Sequence, residues 1–450
     1  MGKGTESRDG ASCGKQPRNG RGLNRYLSVV AHTARSSLYA NAFYIMLSQA
    51  GMALLGFFFW VIVARYYTEA EVGYSSAIIS AIGLVSLVAH MGLDSFLVRF
   101  LSRAEAPVNL FNTCLTYSAI AAFLVSLLCA AGLTIWSSEI GFVATQPVFL
   151  AAFVCFCVAS NISGTTSGAL IGCRKSHLLL VKDTAFGVVK LGLPLLFVAY
   201  FHSFGIVASW GIATMAGMVI ALVALVPRAI PAYIFAPAFG ARLVRRAWGF
   251  SSLSYAITLV GTMPRFAMPL IVISALGPEE NGFFYVAWAV ATVLYLIPGA
   301  VAQSLFAEGS YNKRALRQHV LHAFGMSYLL LIPACLFFVL LGGPLLSAFG
   351  AGYSERSLDL LRILALTSIP MTVERVHFSA LRVRGYLKEV LIWRSLLTVC
   401  VIAASWYFVR TEGLEAIGWV YLVVHAIGAV LILALRRGAW DETRGTVRKS

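Results

Sequence analysis

Four places in this sequence set ionisable side chains inside long apolar runs. Arg265 follows Pro264 in the run from about Ser251 to Leu276, and Lys190 stands four residues before Pro194 in the run Leu180 to Tyr200. Glu374 and Arg375 follow Pro370 within Leu358 to Ala380, and His90 and Asp94 lie four apart within Tyr74 to Leu97. A charge at the centre of a bilayer costs roughly 2.5–3.5 kcal/mol even on the lenient insertion scale, so each needs a wet cavity or a partner. One arrangement is a cationic cavity for an anionic headgroup, with Arg265 and Lys190 as its main charges and Arg375 deeper toward the cytoplasm. The other is a set of interhelical ion pairs. Asp94 and Glu374 read as partners of neighbouring arginines or as proton carriers. The spacing of His90 and Asp94 places them on one face if the helix is unbroken. Asn41 and Gln49 in the first run, and the hydroxylated stretch Ser160 to Gly168, either line the cavity or let helices approach closely.

Chemistry of other kinds finds no support in the residues. The sequence contains no GxxxxGK[ST], no HExxH and no CxxC, which argues against a primary ATPase, a zinc hydrolase and a metal pair. No cofactor or metal is expected. Cys155 and Cys157, two apart, point to different faces of a helix. No connection is long enough to house the acceptor site and acids of a membrane glycosyltransferase, and Glu69 and Glu71 sit in a short link where they read as orientation signals.

The elements that hold these residues are membrane spans. Of 450 residues 59% are apolar and 12% charged, with a mean hydropathy of +0.80. Twelve runs near the 20 residues needed to cross a bilayer recur between short polar links. Alternating short segments of a β-barrel are absent. The expected fold is an all-α polytopic membrane protein of about 12 transmembrane helices. The net charge of +16 is sorted by position. Alternate links carry Arg99 and Arg103; Arg174, Lys175 and Lys182; Arg228, Arg242, Arg245 and Arg246; Lys313, Arg314 and Arg317; and Arg382, Arg384 and Lys388. The intervening links read TEAEV, SSEI, FHSF, GPEEN, AGYSER and RTEGLE. By the positive-inside rule this alternation fixes topology, with both termini cytoplasmic, and it is not a nucleic-acid patch. The basic stretch 1–36 reads as a disordered cytoplasmic tail, and 437–450 as a second one.

A weak internal repeat divides the chain. The acidic link ending in Gly73-Tyr74 resembles the one ending in Gly282-Phe283, 209 residues on, and Gly168-Ala-Leu170 resembles Ser379-Ala-Leu381 at a spacing of 211. The expected organisation is an N-terminal six-helix lobe over 37–226, an inter-lobe cytoplasmic linker over 227–247, and a C-terminal six-helix lobe over 248–436. Six spans per unit is an even number, so the two lobes share one orientation and are pseudo-symmetric about an axis along the membrane normal, with a central cavity between them.

The opening span and the run FFFWVIVARYYTEAEVGYSSAIISAIGLVSLVAHMGLDSFLVRFLS, with SGALIGCRKSH and its later counterpart FSALRVRGYLKE, resemble the polysaccharide flippases of the multidrug/oligosaccharidyl-lipid/polysaccharide exporter superfamily. That resemblance implies two six-helix lobes and alternating access. The implied cargo is a polyprenyl-pyrophosphate-linked oligosaccharide carried to the outer leaflet of a bacterial plasma (inner) membrane during polysaccharide biosynthesis. Implied partners are the lipid-linked substrate, the bilayer, and the glycosyltransferases and polymerase of the pathway. Cavities of this family are often lined by Arg and Lys, and Arg265 fits best. The chief alternative is a drug or small-cation exporter of the same superfamily, which calls for buried carboxylates; a membrane glycosyltransferase or polymerase is the third reading.

Overall fold

The computed structural model describes residues 37–312 and 315–435, which leaves the two tails, Lys313 and Arg314 outside the described residues. The described chain is helical, and its long helices are labelled in order. The first half holds α1 (Ser37–Tyr66), α2 (Glu69–Ala89), the short α3 (Leu93–Phe100), α4 (Pro107–Trp136), α5 (Pro147–Gly172) and α6 (Ser176–Ile220). The second holds α7 (Ala241–Leu276), α8 (Pro278–Tyr311), α9 (Leu316–Ser347), α10 (Leu358–Arg384), α11 (Leu387–Glu412) and α12 (Glu415–Leu435). Large apolar side chains lie exposed all round the bundle, among them Phe43, Leu128, Val223, Leu329, Ile392 and Val430. Only a lipid solvent makes such a surface inexpensive.

Ten stretches are long and apolar enough to cross a membrane on length and composition alone. The expected count of twelve adds the first half of α6 and all of α10, which carry Lys182, Asp183 and Lys190 in one and Glu374 and Arg375 in the other. α6 is helical throughout, yet it is not a single rod. A Cβ on Gly205 would lie 3.1 Å from the Cβ of Phe197, although eight residues of straight helix advance about 12 Å. Lower down, the Phe186 and Trp210 rings meet at 6.3 Å. The chain therefore doubles back between Phe197 and Gly205, and α6 supplies two antiparallel spans.

Span 2 is also interrupted. α2 ends at His90, Met91 has φ +49° and Gly92 φ +73°, and the chain re-enters helix as α3. The shared face expected for His90 and Asp94 is thereby lost, because the four-residue relation holds only along a continuous helix. Here His90 packs on Gly164 and the Asp94 backbone on Gly168, both of α5.

The repeat reappears as paired geometry. At the face carrying the acidic links, a Cβ on Gly73 would run into the backbone of Pro278, and one on Gly282 into the backbone of Glu69. A shift of 209 residues carries 69 to 278 and 73 to 282, so the contact is reciprocal, as a pseudo-two-fold axis requires. At the opposite, basic face Arg174 N and Lys175 N donate to Ile171 O and Leu170 O, while Gly385 N and Tyr386 N donate to Arg382 O and Leu381 O. A shift of 211 superposes those four bonds in pairs.

The acidic face is tied together across the halves. Thr68 and Glu71 form a capping box at the start of α2, so Glu71 has a structural duty beyond its charge. Arg65 Nε donates to Ala348 O at 2.8 Å, satisfying a carbonyl at the end of α9. Asn281 Nδ2 donates to Gly73 O at 2.7 Å. Tyr67, whose hydroxyl is pushed up to about 12 by burial and then by Glu71, remains a proton donor and gives its hydrogen bond to Pro194 O at 2.8 Å.

Gly73→Ala is expected to destabilise the purified protein by about 1–3 kcal/mol, the usual cost of overpacking, because the opposing atoms are backbone. Gly51→Ala, whose Cβ would meet nothing within 4 Å, serves as the control. Thermal unfolding in one detergent compares them, and equal midpoints would refute the close crossing.

Candidate functional site

α7 contributes the inter-lobe wall. At 100° per residue Ser254, Thr258, Gly261 and Arg265 fall on one stripe about 60° wide, and all four are exposed. On one flank Phe266 packs on Gly83 of α2, and the Tyr255 hydroxyl lies 2.8 and 2.7 Å from the Leu87 and Val88 carbonyls, to which its proton donates. On the other flank Arg394 and Thr398 of α11 bond Ile257 O and Val260 O at 3.3 and 3.0 Å. The stripe thus faces inward between the lobes, opposite the exposed apolar Met263.

Arg265 sits mid-span on this stripe. Its guanidinium is 5.9 Å from the Phe266 ring centroid and close enough to Tyr285 of α8 to act on its hydroxyl. Among the described residues no carboxylate forms an ion pair with it. Tyr285 in turn meets Trp60 of α1 with ring centroids 4.5 Å apart and tilted by 54°, and that contact marks where α1 meets α8, toward the acidic face. Farther down α1, Gly51 and Gly56 front open space, and Gln49 is exposed.

Arg375 projects from α10 toward Gly299 of α8 and lies near Tyr295. It is half-buried. Arg394 of α11 reaches Gly261, one turn from Arg265, and rests 5.4 Å from the Phe378 ring. Arg375 and Arg382 act on it electrostatically as like charges. Glu374 does not take up either arginine as a hydrogen-bonded partner. Its Oε2 lies 2.8 Å from His425 Nδ1 of α12, inside the C-terminal lobe, with Oε1 unpartnered.

The structure places Lys190 elsewhere. It is 6% exposed, between α1 and α6 inside the N-terminal lobe, its ammonium 4.8 and 5.1 Å from the Phe59 and Phe186 centroids. A desolvated cation over two ring faces is held by their quadrupoles. Lys182 bonds Ser163 O and Oγ at 3.0 and 3.2 Å and lies 3.5 Å from Asp183, which accepts from Ser48. Asn41 Oδ1 accepts from Ser176 N at 3.1 Å, at the basic face. His90 and Asn161 share the Ser86 carbonyl. No group of three potential metal ligands occurs among the described residues.

A family model described as polysaccharide biosynthesis protein matches residues 38–306. The chain belongs to that family. Its fold is that of solved transporters at low identity. "Lipid II flippase MurJ, inward closed conformation" aligns with a TM-score of 0.71 at 12% identity over 88% of this chain and 88% of that one. The inward-facing conformation of a multidrug resistance MATE family transporter of the MOP superfamily gives 0.67 at 16% over 87% and 96%. A MOP superfamily transporter from Pyrococcus furiosus gives 0.61 at 14% over 90% and 95%. No curated protein sequence matches the chain. Family membership and fold agree with the two-lobe, twelve-span organisation expected from hydropathy and the repeat.

Removing Glu374 should be a stability lesion, because it leaves His425 and the neighbouring arginines without their compensating charge. Glu374→Leu is expected to cost about 3–5 kcal/mol, as loss of one buried partner does, whereas Arg265→Ala should unfold within a few degrees of the parent. Thermal-shift midpoints decide this, and the reverse order would place Arg265 in a structural pair.

Proposed function

We propose that the chain is a flippase that moves a polyprenyl-pyrophosphate-linked oligosaccharide from the cytoplasmic to the outer leaflet by alternating access, without catalysing a covalent step. The observation that carries this reading is Arg265, mid-span, exposed to the inter-lobe space and without a carboxylate partner. Arg375 and Arg394 add positive charge to the same lobe, and its buried carboxylate, Glu374, is turned to His425. A diphosphate with about two negative charges suits that wall through charge-assisted hydrogen bonds. Small-cation export would draw on a carboxylate in the same space; Asp183 lies instead beside Lys182, which leaves Asp94, close to Tyr255 at the edge of this wall, as the residue that reading would need.

The face of basic links is the one that the charge alternation makes cytoplasmic. Outward movement of two negative charges down an inside-negative potential releases roughly 4–5 kcal/mol per 100 mV, at about 2.3 kcal/mol per charge. The membrane potential is therefore a sufficient bias for export. Genes for glycosyltransferases and a polymerase beside this one would support the pathway assignment.

Two experiments test the proposal. Arg265→Ala should abolish transfer of the lipid-linked glycan in reconstituted vesicles at normal protein abundance, and Arg265→Lys should restore it in part, since Lys keeps the charge but loses the planar fork. Full transfer by the alanine variant would remove the assignment. For orientation, in a background cleared of native cysteines, Glu279→Cys and Glu412→Cys should react with an impermeant external thiol reagent while Arg245→Cys and Lys388→Cys stay protected. Labelling of the second pair from outside would invert the topology.

A further inference from the structure

At the basic face, away from Arg265, the start of α1, the end of α3 and the turn between α5 and α6 enclose a pocket of about 350 Å³. Arg99, Arg103 and Arg174 line it with Asn41, Ser102 and Ser176, and among the described residues no acidic side chain does. We propose that this pocket binds a phosphate or diphosphate group.

Solvated topology arginines would share its charge, and two features separate it from them. Ser176 is fully buried, yet its Oγ has no hydrogen-bond partner. A buried hydroxyl left unpaired against a pocket is a group awaiting a ligand. The second feature is Arg174, which holds φ +57°, a left-handed conformation that penalises every residue with a Cβ. The same turn in the second half, with the same pair of hydrogen bonds, is built on Gly385 at φ +85°, and the counterpart of Ser176 there is Leu387. The fold thus needs only a glycine at this turn. The first half spends conformational energy to place a guanidinium on the pocket, which is where strain marks function. The α6 N-terminus opens on the same space and adds the positive end of its dipole. Three guanidiniums around a site of this size match the forked acceptors of a phosphate.

The probe is inorganic pyrophosphate, titrated calorimetrically into the full chain in phosphatidylcholine nanodiscs. All variants carry Arg265→Ala, so that any central site is silent. Binding should persist in this background. Arg174→Gly should weaken it about tenfold, the value of one charge-assisted hydrogen bond, with an unchanged or raised unfolding temperature because the turn is relieved. Adding Arg103→Ala should weaken it further. If phosphatidylglycerol in the disc displaces pyrophosphate, the natural occupant is a membrane headgroup. If pyrophosphate binds regardless, it is a diphosphate delivered from the cytoplasmic side. Either result supports a phosphate site. No binding in the Arg265→Ala background, or equal affinity in Arg174→Gly, overturns it. Failure of the central-site reading would show separately, as full glycan transfer by Arg265→Ala.

Discussion

The organisation of this protein depends on one steric fact, the backbone-to-backbone crossing of α2 and α8 at Gly73 and Gly282. Two helices approach this closely only where neither presents a Cβ. The crossing is reciprocal, so it lies on the pseudo-symmetry axis and sets the spacing of the two halves. Around it the acidic face is closed by hydrogen bonds from Arg65 and Asn281 and by the tilted ring contact of Trp60 and Tyr285. Farther along, α2 and α7 stay together from Phe266 to Tyr255.

The buried charges follow from the same layout. Within each lobe, cations and carboxylates find local partners: Lys190 two aromatic rings, Lys182 hydroxyls and Asp183, Glu374 a histidine. Between the lobes Arg265 has the Phe266 ring at 5.9 Å and, among the described residues, no carboxylate. In low dielectric an unpaired guanidinium is expensive unless water or an anion reaches it. The wall it occupies is polar from Ser254 onward, which admits water from the basic face. The asymmetry between satisfied lobe interiors and an unsatisfied interface is what a reusable anion site needs.

Hydropathy and charge alternation made the spans legible, and two short matches at spacings of 209 and 211 located the axis and both turns that the structure pairs. Arg265 was legible because its depth and its neighbour Pro264 left few bland explanations. The break in span 2 was not, since Met91-Gly92 lacks a proline and the cause is tertiary: His90 and Asp94 fit against the glycines of α5. Lys190 was misplaced for a similar reason. Depth in a span says nothing about which side of the helix faces a cavity, and only packing shows Phe59 and Phe186 closing around it. Arg394 does not stand out in the sequence, because it lies near the start of α11 where a long cation can reach the interface, whereas the bare surface of Gly261 lets it turn inward. The doubling of α6 was legible as the link FHSF between two apolar runs, although the backbone stays helical there.

The proposed alternating access requires the halves to part at the Gly73–Gly282 crossing, and tethering that crossing tests the account most directly. Ser76 and Asn281 are in contact there, Oγ to Nδ2 at 3.1 Å, and replacing both with cysteine in a background without other cysteines permits a disulfide across the crossing. Transfer of lipid-linked glycan in vesicles should stop on oxidation and return on reduction, with neither single-cysteine variant affected. Undiminished transfer by the fully oxidised protein would show that the two halves move without opening this contact, and would contradict the account.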